Sequence, residues 1–577
     1  MMTSVISAIS MLRALLPRPD KLKWLGIVCF ALCISAFEVL TASMIAAFAQ
    51  VISLPEHGQK YLHILGFHQD LSTNRIIFYM AIVLGIIFLI KNILGAGEVF
   101  FQNFAIQKMN YRFRDMMLVK YSEIDYGTYL TRNSSFGLQA VRDLVSGVFS
   151  QGMLPLSVVL SEGTVFASLI GMAVYMNPSL ALIIFAVGVT LGAVIVKWLF
   201  PRFYRFGQKL QTATLYGHQH LSQFFHAFKE IVLLGKRDAF IQAYSFFSKK
   251  ESVTIAAQNA VNALPKVAIE LLFVGVFIIS ILTLCFEHEN PTQMIGILGG
   301  YLYAGFRLMP GVNRIINQLS IFKMFIPSIE QVYREYFLMS AKENYVDVPD
   351  FKFQTNIVVQ DLSFRYLNTK RDALSGISLE VKKGESVGIV GETGSGKSTL
   401  IDVILGLLRP CEGSVLIDGK HPANSYQWHK KIGYVPQSVY LTDDSIEANI
   451  AFGEKEADED RVNQAVNAAQ LRKLIDQLPQ GTKTIVGERG VRLSGGERQR
   501  ISIARALYHQ PEVLIFDEAT SALDNETEAK LMGTINSVSK DRTVIMIAHR
   551  LTTLKNCDKI VSMKDGRVVK IGEYEEA

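Results

Sequence analysis

Long apolar segments in the first 330 residues constrain the fold of this chain more than any other feature. Hydrophobic residues make up 50% of the 577, and the long apolar runs all lie in this first part. Six segments are near the length of about 20 residues that an α-helix needs to cross a bilayer. They cover residues 23–53, 76–104, 144–175, 180–199, 267–286 and 294–308. Buried helices of a soluble protein are a poor alternative for so many runs, so we predict a membrane domain at residues 23–336.

Charged residues between these segments predict their orientation. The stretch before the first segment and the long connections after the second and the fourth are rich in Lys and Arg. The turn at residues 176–179 carries no charge, and the turn after the fifth segment carries Glu287 and Glu289. Because basic loops stay on the cytoplasmic side, we expect the N-terminus and both long loops in the cytoplasm. Residues 1–22 have apolar residues at helical spacing near arginines, which predicts an interfacial helix.

The remainder of the chain has the composition of a soluble α/β domain. Residues 337–352 are polar and acidic and contain Pro349, which is typical of a linker. We therefore place a second domain at residues 353–577. The five cysteines are scattered without metal-ligand spacing, so we expect free thiols. The net charge of +6 comes from the basic loops, and it does not require a nucleic-acid partner.

A glycine-rich turn in the second domain has the spacing of a phosphate-binding loop. It fits G-x-x-x-x-G-K-[ST] and stands between an apolar strand and the start of a helix. Glycines allow backbone N–H groups to turn toward phosphate oxygens. Lys397 would reach the β- and γ-phosphates of ATP, and the Ser398 hydroxyl would bind Mg²⁺. The predicted cradle consists of Gly391, Glu392, Thr393, Gly394, Ser395, Gly396, Lys397, Ser398 and Thr399.

A second apolar run ends in two carboxylates, about 120 residues after the loop. Residues 513–516 have the pattern of a central strand, and Asp517 and Glu518 follow it. An aspartate at this place would hold the hydrated Mg²⁺. The glutamate beside it would polarise the attacking water. A strand that ends in Asp–Glu is ordinary by itself, but its position after the phosphate loop predicts an ATP-hydrolysing site.

The stretch between these two motifs identifies a family. Ser494, Gly495, Gly496 and Glu497 precede a helical pattern, and their exposed N–H groups would form a second anion site. This stretch resembles the signature of the ATP-binding cassette (ABC) transporter family. Membership implies a homodimer, in which the signature of one subunit closes over the nucleotide that the phosphate loop of the other subunit holds. Two ATP molecules would be enclosed in each dimer.

Further motifs of that family occur in the same order. The resemblance implies that Tyr366 stacks on adenine, that Gln437 contacts Mg²⁺ and that His549 contacts the γ-phosphate. Asp524 belongs to a loop that crosses the dimer. Glu497 stands where the family more often has glutamine, and we expect no loss of hydrolysis.

The resemblance also implies the fold and the roles of the site residues. The fold is a six-helix transmembrane domain of the type IV (type I) exporter, followed by an α/β P-loop nucleotide-binding domain in the cytoplasm. We expect catalysis to depend on Glu518, His549 and Gln437, and the metal to be held by Ser398, Gln437 and Asp517. Residues 125–130 and 228–233 resemble the two coupling-helix regions; they also fit a basic surface beside anionic lipid heads.

Ionisable residues inside the apolar segments bear on the substrate, because they are costly there and usually face a cavity or a partner. Lys266 and Glu270 are four apart and can pair on one helix face. The other basic side chains have no such partner on their own helix. A basic belt inside a cavity would attract an anionic head group such as a pyrophosphate. The predicted substrate residues are Lys91, Lys266, Arg307 and Arg314.

A narrower resemblance concerns the sixth segment. Residues 307–316 resemble the sixth helix of bacterial lipid-linked oligosaccharide flippases of N-glycosylation. Glu38 also matches that group, and Lys91 and Lys266 stand where it has arginine. The resemblance implies a polyprenyl-pyrophosphate-linked oligosaccharide as substrate, although lysine cannot bind a phosphate bidentately. A lipid A or other lipid flippase, a peptide exporter and a non-transporting ATP-gated channel or regulator stay open; the complete set of hydrolytic residues argues against the last.

Overall fold

The chain divides into two compact units. The structure, a computed structural model, describes residues 2–53, 72–132, 134–176, 190, 193, 197–287, 291–338, 345–367, 369–519, 528, 532–535, 542–548 and 554–574. One unit comprises Met1–Ser122 and Asn133–Ser340, and the other comprises Glu123–Arg132 and Ala341–Ala577. The sequence places residues 123–132 in the membrane domain, whereas the structure groups them with the second unit.

The first unit is helical. Three of its described stretches, Arg18–Ile45, Asn74–Ser122 and Phe136–Met172, are long and apolar enough to cross a membrane. The helices in chain order are α1 (Met2–Leu15), α2 (Arg18–Ser53), α3 (Thr73–Ser122), α4 (Tyr126–Leu130, in the second unit), α5 (Ser134–Gln139), α6 (Val145–Gly147), α7 (Leu154–Met176), α8 (Phe200–His226), α9 (Phe228–Leu233), α10 (Arg237–Glu287) and α11 (Pro291–Leu338).

The long helices explain the excess length of the apolar segments. Helix α3 has 50 residues and, at 1.5 Å per residue, is about 75 Å long, more than twice the hydrocarbon thickness. The fifth and sixth predicted segments lie within α10 and α11. Most of the fourth predicted segment, residues 180–199, lies outside the described residues. Short helices, α4 and α9, occupy the two segments that resemble coupling regions.

The N-terminal segment contains two helices rather than one. Helix α1 ends at Leu15 and α2 begins at Arg18, so the last residues of the predicted interfacial segment belong to α2. Leu12 and Leu15 are buried, while Ile6 is exposed. One face of α1 therefore packs on the rest of the unit, because its apolar residues recur at helical spacing.

Two glycines allow α11 to approach its neighbours closely. A Cβ atom on Gly147, which ends α6, would lie 2.0 Å from the ring of Phe325 in α11. A Cβ atom on Gly207 in α8 would lie 1.9 Å from the backbone oxygen of Met324. Two π-helical turns, Ala140–Leu144 and Val148–Met153, flank α6. The crossing of α8 and α11 thus depends on the absence of a side chain at residue 207.

The second unit contains two β-sheets. The larger has the order β10-β9-β3-β8-β7-β6, and all its neighbouring strands are parallel except β10 and β9. The smaller sheet, β2-β1-β4-β5, is antiparallel. The strands are β1 (Asn356–Phe364), β2 (Leu374–Lys382), β3 (Ser386–Gly391), β4 (Glu412–Ile417), β5 (His421–Pro422), β6 (Ile432–Val435), β7 (Val513–Asp517), β8 (Thr543–Ile547), β9 (Lys559–Lys564) and β10 (Arg567–Gly572).

Helices cover this sheet, as a parallel sheet requires. Every residue of β7 and β8 is buried. The helices are α12 (Lys397–Ile404), α13 (Tyr426–His429), α14 (Ile446–Ile450), α15 (Glu459–Ala468), α16 (Arg472–Gln477) and α17 (Gly495–Tyr508). The register pairs Ile389 of β3 and Asp517 of β7 with Ile547 of β8. The carboxyl ends of β3 and β7 therefore lie at one edge of the sheet, where α/β domains bind ligands.

One carboxylate ties the start of β1 to the turn after β4. Asp418 accepts hydrogen bonds from the backbone N–H groups of Gln354 (3.0 Å), Thr355 (2.6 Å) and Asn356 (3.3 Å), and the Thr355 hydroxyl also donates to it (2.9 Å). Burial by itself raises the pKa of Asp418, but these hydrogen bonds outweigh burial and hold the pKa below its ordinary value.

Replacing Asp418 with asparagine is expected to destabilise the protein by about 1 kcal/mol at neutral pH, since charge-assisted bonds to a partly exposed group are weakened by solvent. Because the pKa is lower in the folded state, this stabilisation is complete above the unfolded pKa of about 3.9 and is lost as the pH falls through the folded pKa. Thermal unfolding of the wild type and D418N, at neutral pH and below about pH 3, tests this. An equal difference between the two proteins at both values would contradict it.

Candidate nucleotide and substrate sites

The predicted phosphate cradle is the turn between β3 and α12. Gly391, Gly394 and Gly396 have φ angles of 155°, 85° and 99°, which residues with side chains rarely adopt. A Cβ atom on Gly391 would lie 2.3 Å from the backbone oxygen of Met563, and one on Gly396 would lie 2.8 Å from that of Ala373. Glycine is therefore required at both places, and the N-terminus of α12 is left open toward the turn.

Lys397 is buried beneath this turn. Its Nζ donates to the backbone oxygens of Gly391 (2.9 Å) and Glu392 (3.0 Å), and 5% of the residue is exposed. The ammonium group therefore closes the cradle from inside and adds positive charge to that of the helix N-terminus. This arrangement is suited to a polyphosphate.

Asp517 meets the cradle from the end of β7. The Ser398 hydroxyl donates to its Oδ1 (3.4 Å), and the Tyr434 hydroxyl donates to its Oδ2 (3.3 Å). Burial raises the pKa of Asp517, and the charge of Glu518 raises it further. The Ser398 and Asp517 oxygens, brought together here, are the hard ligands that Mg²⁺ prefers.

Glu518 is held in a strained backbone conformation. Its φ angle is 48°, in the left-handed region, and its backbone N–H donates to the Ile547 oxygen at the end of β8 (3.1 Å). The Gln437 side-chain amide donates to the Glu518 carboxylate. Both side chains line the same cleft as the phosphate turn. The backbone conformation sets the direction in which the Glu518 side chain leaves the strand, and the hydrogen bond from Gln437 restrains its carboxylate.

The cleft beside the cradle has a volume of about 550 Å³. Tyr366 lines it, and its hydroxyl shares a hydrogen bond with the Thr399 hydroxyl (2.9 Å). The opposite wall includes Arg371 and Asp565, which form an ion pair (2.9 Å). Our sequence analysis missed these two. The Asp–Gly turn between β9 and β10 is the local signal that marks Asp565.

The residues of the cleft fit ATP. The volume lies in the range of small-molecule sites. Thr393, Gly394, Gly396 and Lys397 of the phosphate turn line the cleft, so their backbone N–H groups and the buried ammonium group of Lys397 adjoin the space that a polyphosphate would occupy. No group of three or more His, Cys, Asp or Glu residues that could hold a metal occurs in the described part of the chain. Mg²⁺ usually binds one or two carboxylates together with substrate phosphates, and the neighbouring Ser398 and Asp517 oxygens are of that kind.

A carboxylate one turn along α12 adds to the charge of this site. Asp402 is partly buried, and burial together with the charge of Asp517 raises its pKa to about 6. Sequence reasoning missed it, because the contact between α12 and the end of β7 arises only in the fold.

The predicted second anion site forms the N-terminus of α17, away from the cleft. Ser494 caps the helix: Glu497 N–H donates to its hydroxyl (3.3 Å), and the Ser494 N–H donates to the Glu497 carboxylate (2.7 Å). Ser494 and Gly495 are exposed, and none of the four signature residues lines the cleft. This capping box explains Glu497, because its S-x-x-E spacing is the usual one.

The structure does not describe the side chains of three predicted site residues. Asp524 and His549 lie outside the described residues. Arg307 lies within α11, which is described as a helix without its side chain there.

Lys91 is part of a buried ion pair. Its Nζ lies 3.2 Å from Glu38 Oε2, with exposed side-chain fractions of 10% and 3%. We expected Lys91 to face a cavity because it has no partner on its own helix. The structure places a partner on another helix, since Glu38 belongs to α2, 53 residues away. Spacing along one helix does not reveal such a pair.

The other two described basic residues are more exposed. Lys266 lies 3.9 Å from Glu270, and their side chains are 68% and 46% exposed, so the local pairing considered from the sequence is present. Arg314 Nη1 lies 2.9 Å from Glu162 Oε1; the arginine side chain is 56% exposed, and the glutamate is 9% exposed. Glu162 is a partner that the sequence analysis missed.

The chain matches two family profiles. The profile of the ABC transporter transmembrane region matches residues 24–289, and that of the ABC transporter nucleotide domain matches residues 374–521. An ATP-dependent lipid A-core flippase of Francisella tularensis is 30% identical over 82% of this chain and 78% of that protein. One of Hahella chejuensis is 30% identical over 75% of this chain and 74% of that protein.

This chain belongs to the ABC transporter family. It is a half-transporter, with one membrane region fused to one nucleotide domain. The family and the motifs of the cleft make it an ATPase coupled to transport. A bacterial Atm1-family ABC exporter, solved with ATP bound, has the same fold: the TM-score is 0.74 at 22% identity, over 93% of this chain and 95% of that one. The predicted fold class, an exporter-type membrane domain followed by an α/β nucleotide domain, is confirmed.

Proposed function

We propose that this half-transporter forms a homodimer that uses ATP to flip an anionic glycolipid across the bacterial inner membrane. The observation that carries this proposal is the extent of the match to proteins named lipid A-core flippases, which covers 78% of the length of one of them. The cytoplasmic side holds the nucleotide domain, as the basic loops predict.

The residues of the cleft would have separate roles in hydrolysis. Lys397 and the cradle bind the phosphates. Ser398, Asp517 and Gln437 would hold Mg²⁺, which supplies charge neutralisation when bound. Glu518 orients the attacking water and accepts its proton. The exposed N-terminus of α17 would close over the nucleotide of a second subunit, because it does not reach the cleft of its own.

Among the predicted substrate residues whose side chains the structure describes, Arg314 is the best placed for the head group. A guanidinium has five N–H donors. Buried Glu162 holds one end of it, while more than half of the side chain stays exposed. A phosphate could therefore be bound by the remaining donors without movement of the side chain. Lys91 is less suited, because its charge is already matched by Glu38 in a buried place.

The finer proposal is a polyprenyl-pyrophosphate-linked oligosaccharide as substrate. It depends on the resemblance of residues 307–316 to the sixth helix of lipid-linked oligosaccharide flippases. Lipid A-core, which also carries phosphates, is the rival that the relatives favour. The two share one requirement, a cation that binds phosphate.

Replacing Arg314 with alanine is expected to reduce the stimulation of ATPase activity by phosphorylated glycolipids by roughly tenfold or more, as expected for a charge-assisted contact of about 1.5–3 kcal/mol. Basal ATPase activity should be retained, since Arg314 lies far along the sequence from the nucleotide motifs. The full-length protein in proteoliposomes is measured with lipid A-core and with a polyprenyl-pyrophosphate glycan separately. The glycolipid that gives the larger Arg314-dependent stimulation identifies the substrate class.

Two controls separate recognition from folding. R314K keeps the charge but loses the planar fork, so we expect an intermediate loss. K91A should lower thermal stability instead, because it removes the ammonium group from a buried ion pair with Glu38, at a cost of about 3–5 kcal/mol. Stimulation of R314A equal to that of the wild type by both lipids would contradict the proposal, and stimulation by peptides alone would favour a peptide exporter.

A further inference from the structure

Helix α4 rests on the nucleotide domain, within the same compact unit. Asp125 caps it by accepting a hydrogen bond from the Thr128 N–H (3.0 Å). The ring of Tyr126 packs against the hydrophobic core that surrounds α12, together with Tyr434. A Cβ atom on Gly127 would lie 3.5 Å from Leu408, in ordinary contact. The helix is thus seated on residues that follow the phosphate cradle.

The face of α12 that meets Asp517 also carries Asp402. Ser398 and Asp402 are four residues apart and lie on one side of the helix. The Ser398 hydroxyl donates to Asp517 Oδ1. Asp402 therefore lies one helical turn beyond the residue that contacts Asp517. Its charge acts on the hydroxyl groups of Tyr126 and Tyr434, whose pKa values are raised first by burial and then by neighbouring charges, among them that of Asp402. Asp402, Asp517, Tyr126 and Tyr434 are therefore neighbours.

Tyr434 connects this group to the metal site. It lies on β6, directly beside β7 in the sheet, where it pairs with Ile515. Its hydroxyl donates to Asp517 Oδ2, which leaves Oδ1 and the Ser398 hydroxyl on the side of the cradle. A hydrogen bond to the second oxygen of a ligating carboxylate fixes its orientation, and loss of such outer partners weakens metal binding markedly.

We propose that Tyr434, Asp402 and Tyr126 position the carboxylate of Asp517, so that the seating of α4 sets how tightly the nucleotide site holds magnesium. Tyr434 orients the carboxylate, Asp402 adds negative charge behind it, and the Tyr126 ring keeps water away from both. Electrostatic interactions are stronger where water is excluded. The inference rests on the proposed role of Asp517 as a magnesium ligand.

The first test is Y434F, which removes one hydroxyl and keeps the ring. ATPase activity of the full-length protein in lipid nanodiscs is measured at saturating ATP over a range of Mg²⁺ concentrations. We expect the half-activating Mg²⁺ concentration to rise by roughly tenfold, with a smaller change in kcat at saturating Mg²⁺ and an unchanged thermal unfolding temperature. D402N should shift it in the same direction, because a negative charge is removed. An unchanged half-activating concentration in Y434F would overturn the inference.

The second test concerns α4. Y126A should raise the half-activating Mg²⁺ concentration by roughly threefold, less than loss of the direct hydrogen bond does. L130A is the matched control on the same helix, because the Leu130 side chain is exposed, and it should leave the value unchanged. Equal shifts in both variants, or no shift in Y126A, would overturn the link to α4.

A separate variant distinguishes the two levels of the argument. D517N should raise the half-activating Mg²⁺ concentration more than any of the other variants. If D517N leaves it unchanged, the proposed magnesium role of Asp517 fails. If D517N shifts it and Y434F does not, the magnesium role stands and the positioning role is overturned.

Discussion

Replacing Glu518 with glutamine is expected to lower the ATPase turnover by roughly 10²–10⁴-fold, the usual contribution of a general base. The glutamine side chain has nearly the same shape as that of glutamate, but its amide cannot accept a proton from the attacking water. Glu518 is buried at the end of β7 with φ 48°, so its position is fixed by the backbone rather than by the charge. Phosphate release by the full-length protein in nanodiscs measures the effect.

The same variant should still bind ATP, because the cradle and Lys397 are untouched. In a homodimer that closes around two nucleotides, E518Q is expected to accumulate in the closed, ATP-bound state, which cross-linking across the dimer detects. Q437A is a useful comparison, since Gln437 contacts Glu518 but cannot itself accept the proton. A turnover of E518Q within threefold of the wild type would contradict the assignment of Glu518 as the base.

Replacing Gly207 with valine is expected to destabilise the membrane unit by overpacking a close helix crossing. The first added atom would lie 1.9 Å from the Met324 backbone oxygen, and a backbone carbonyl cannot move aside as a flexible side chain can. Overpacking of a core typically costs about 1–3 kcal/mol, and here α8 and α11 must separate along their length. Thermal unfolding of the purified protein, and its recovery as a dimer, measure the effect.

Glycines elsewhere in the same unit provide the control. A Cβ atom on Gly163 in α7 would meet nothing within 4 Å. G163A should therefore be neutral or stabilise the helix by up to about 1 kcal/mol. If G207V and G163A unfold at the same temperature, the close crossing of α8 and α11 is wrong.

The nucleotide site could be predicted because the residues of each motif lie close together in short segments of the chain. The cradle is a run of nine consecutive residues, 391–399, in which glycines are required by φ angles and by close backbone approach. Asp517 and Glu518 follow one buried strand, and Ser494 and Glu497 cap one helix. In each case the residues that act together are neighbours along the chain, so their spacing carries the information.

The partners of the charged residues were not predictable in this way. Lys91 pairs with Glu38, and Arg314 pairs with Glu162, across different helices. Periodicity along one helix identified only the pair of Lys266 and Glu270, four residues apart. The absence of a partner on the same helix therefore does not show whether a basic residue is paired in the fold.

The sequence by itself determined that the chain has membrane-spanning helices, a glycine-rich turn with the spacing of a phosphate cradle, two carboxylates at the end of a buried strand and the family to which it belongs. Only the tertiary structure decided which cations are neutralised, that Tyr434 holds Asp517 and that α4 belongs with the nucleotide domain. The physical reason is how far apart along the sequence the interacting residues lie. Backbone conformation, helix capping and hydrophobic length are set by residues close in sequence, whereas ion pairing and burial depend on distances that exist only after the helices and sheets have packed together.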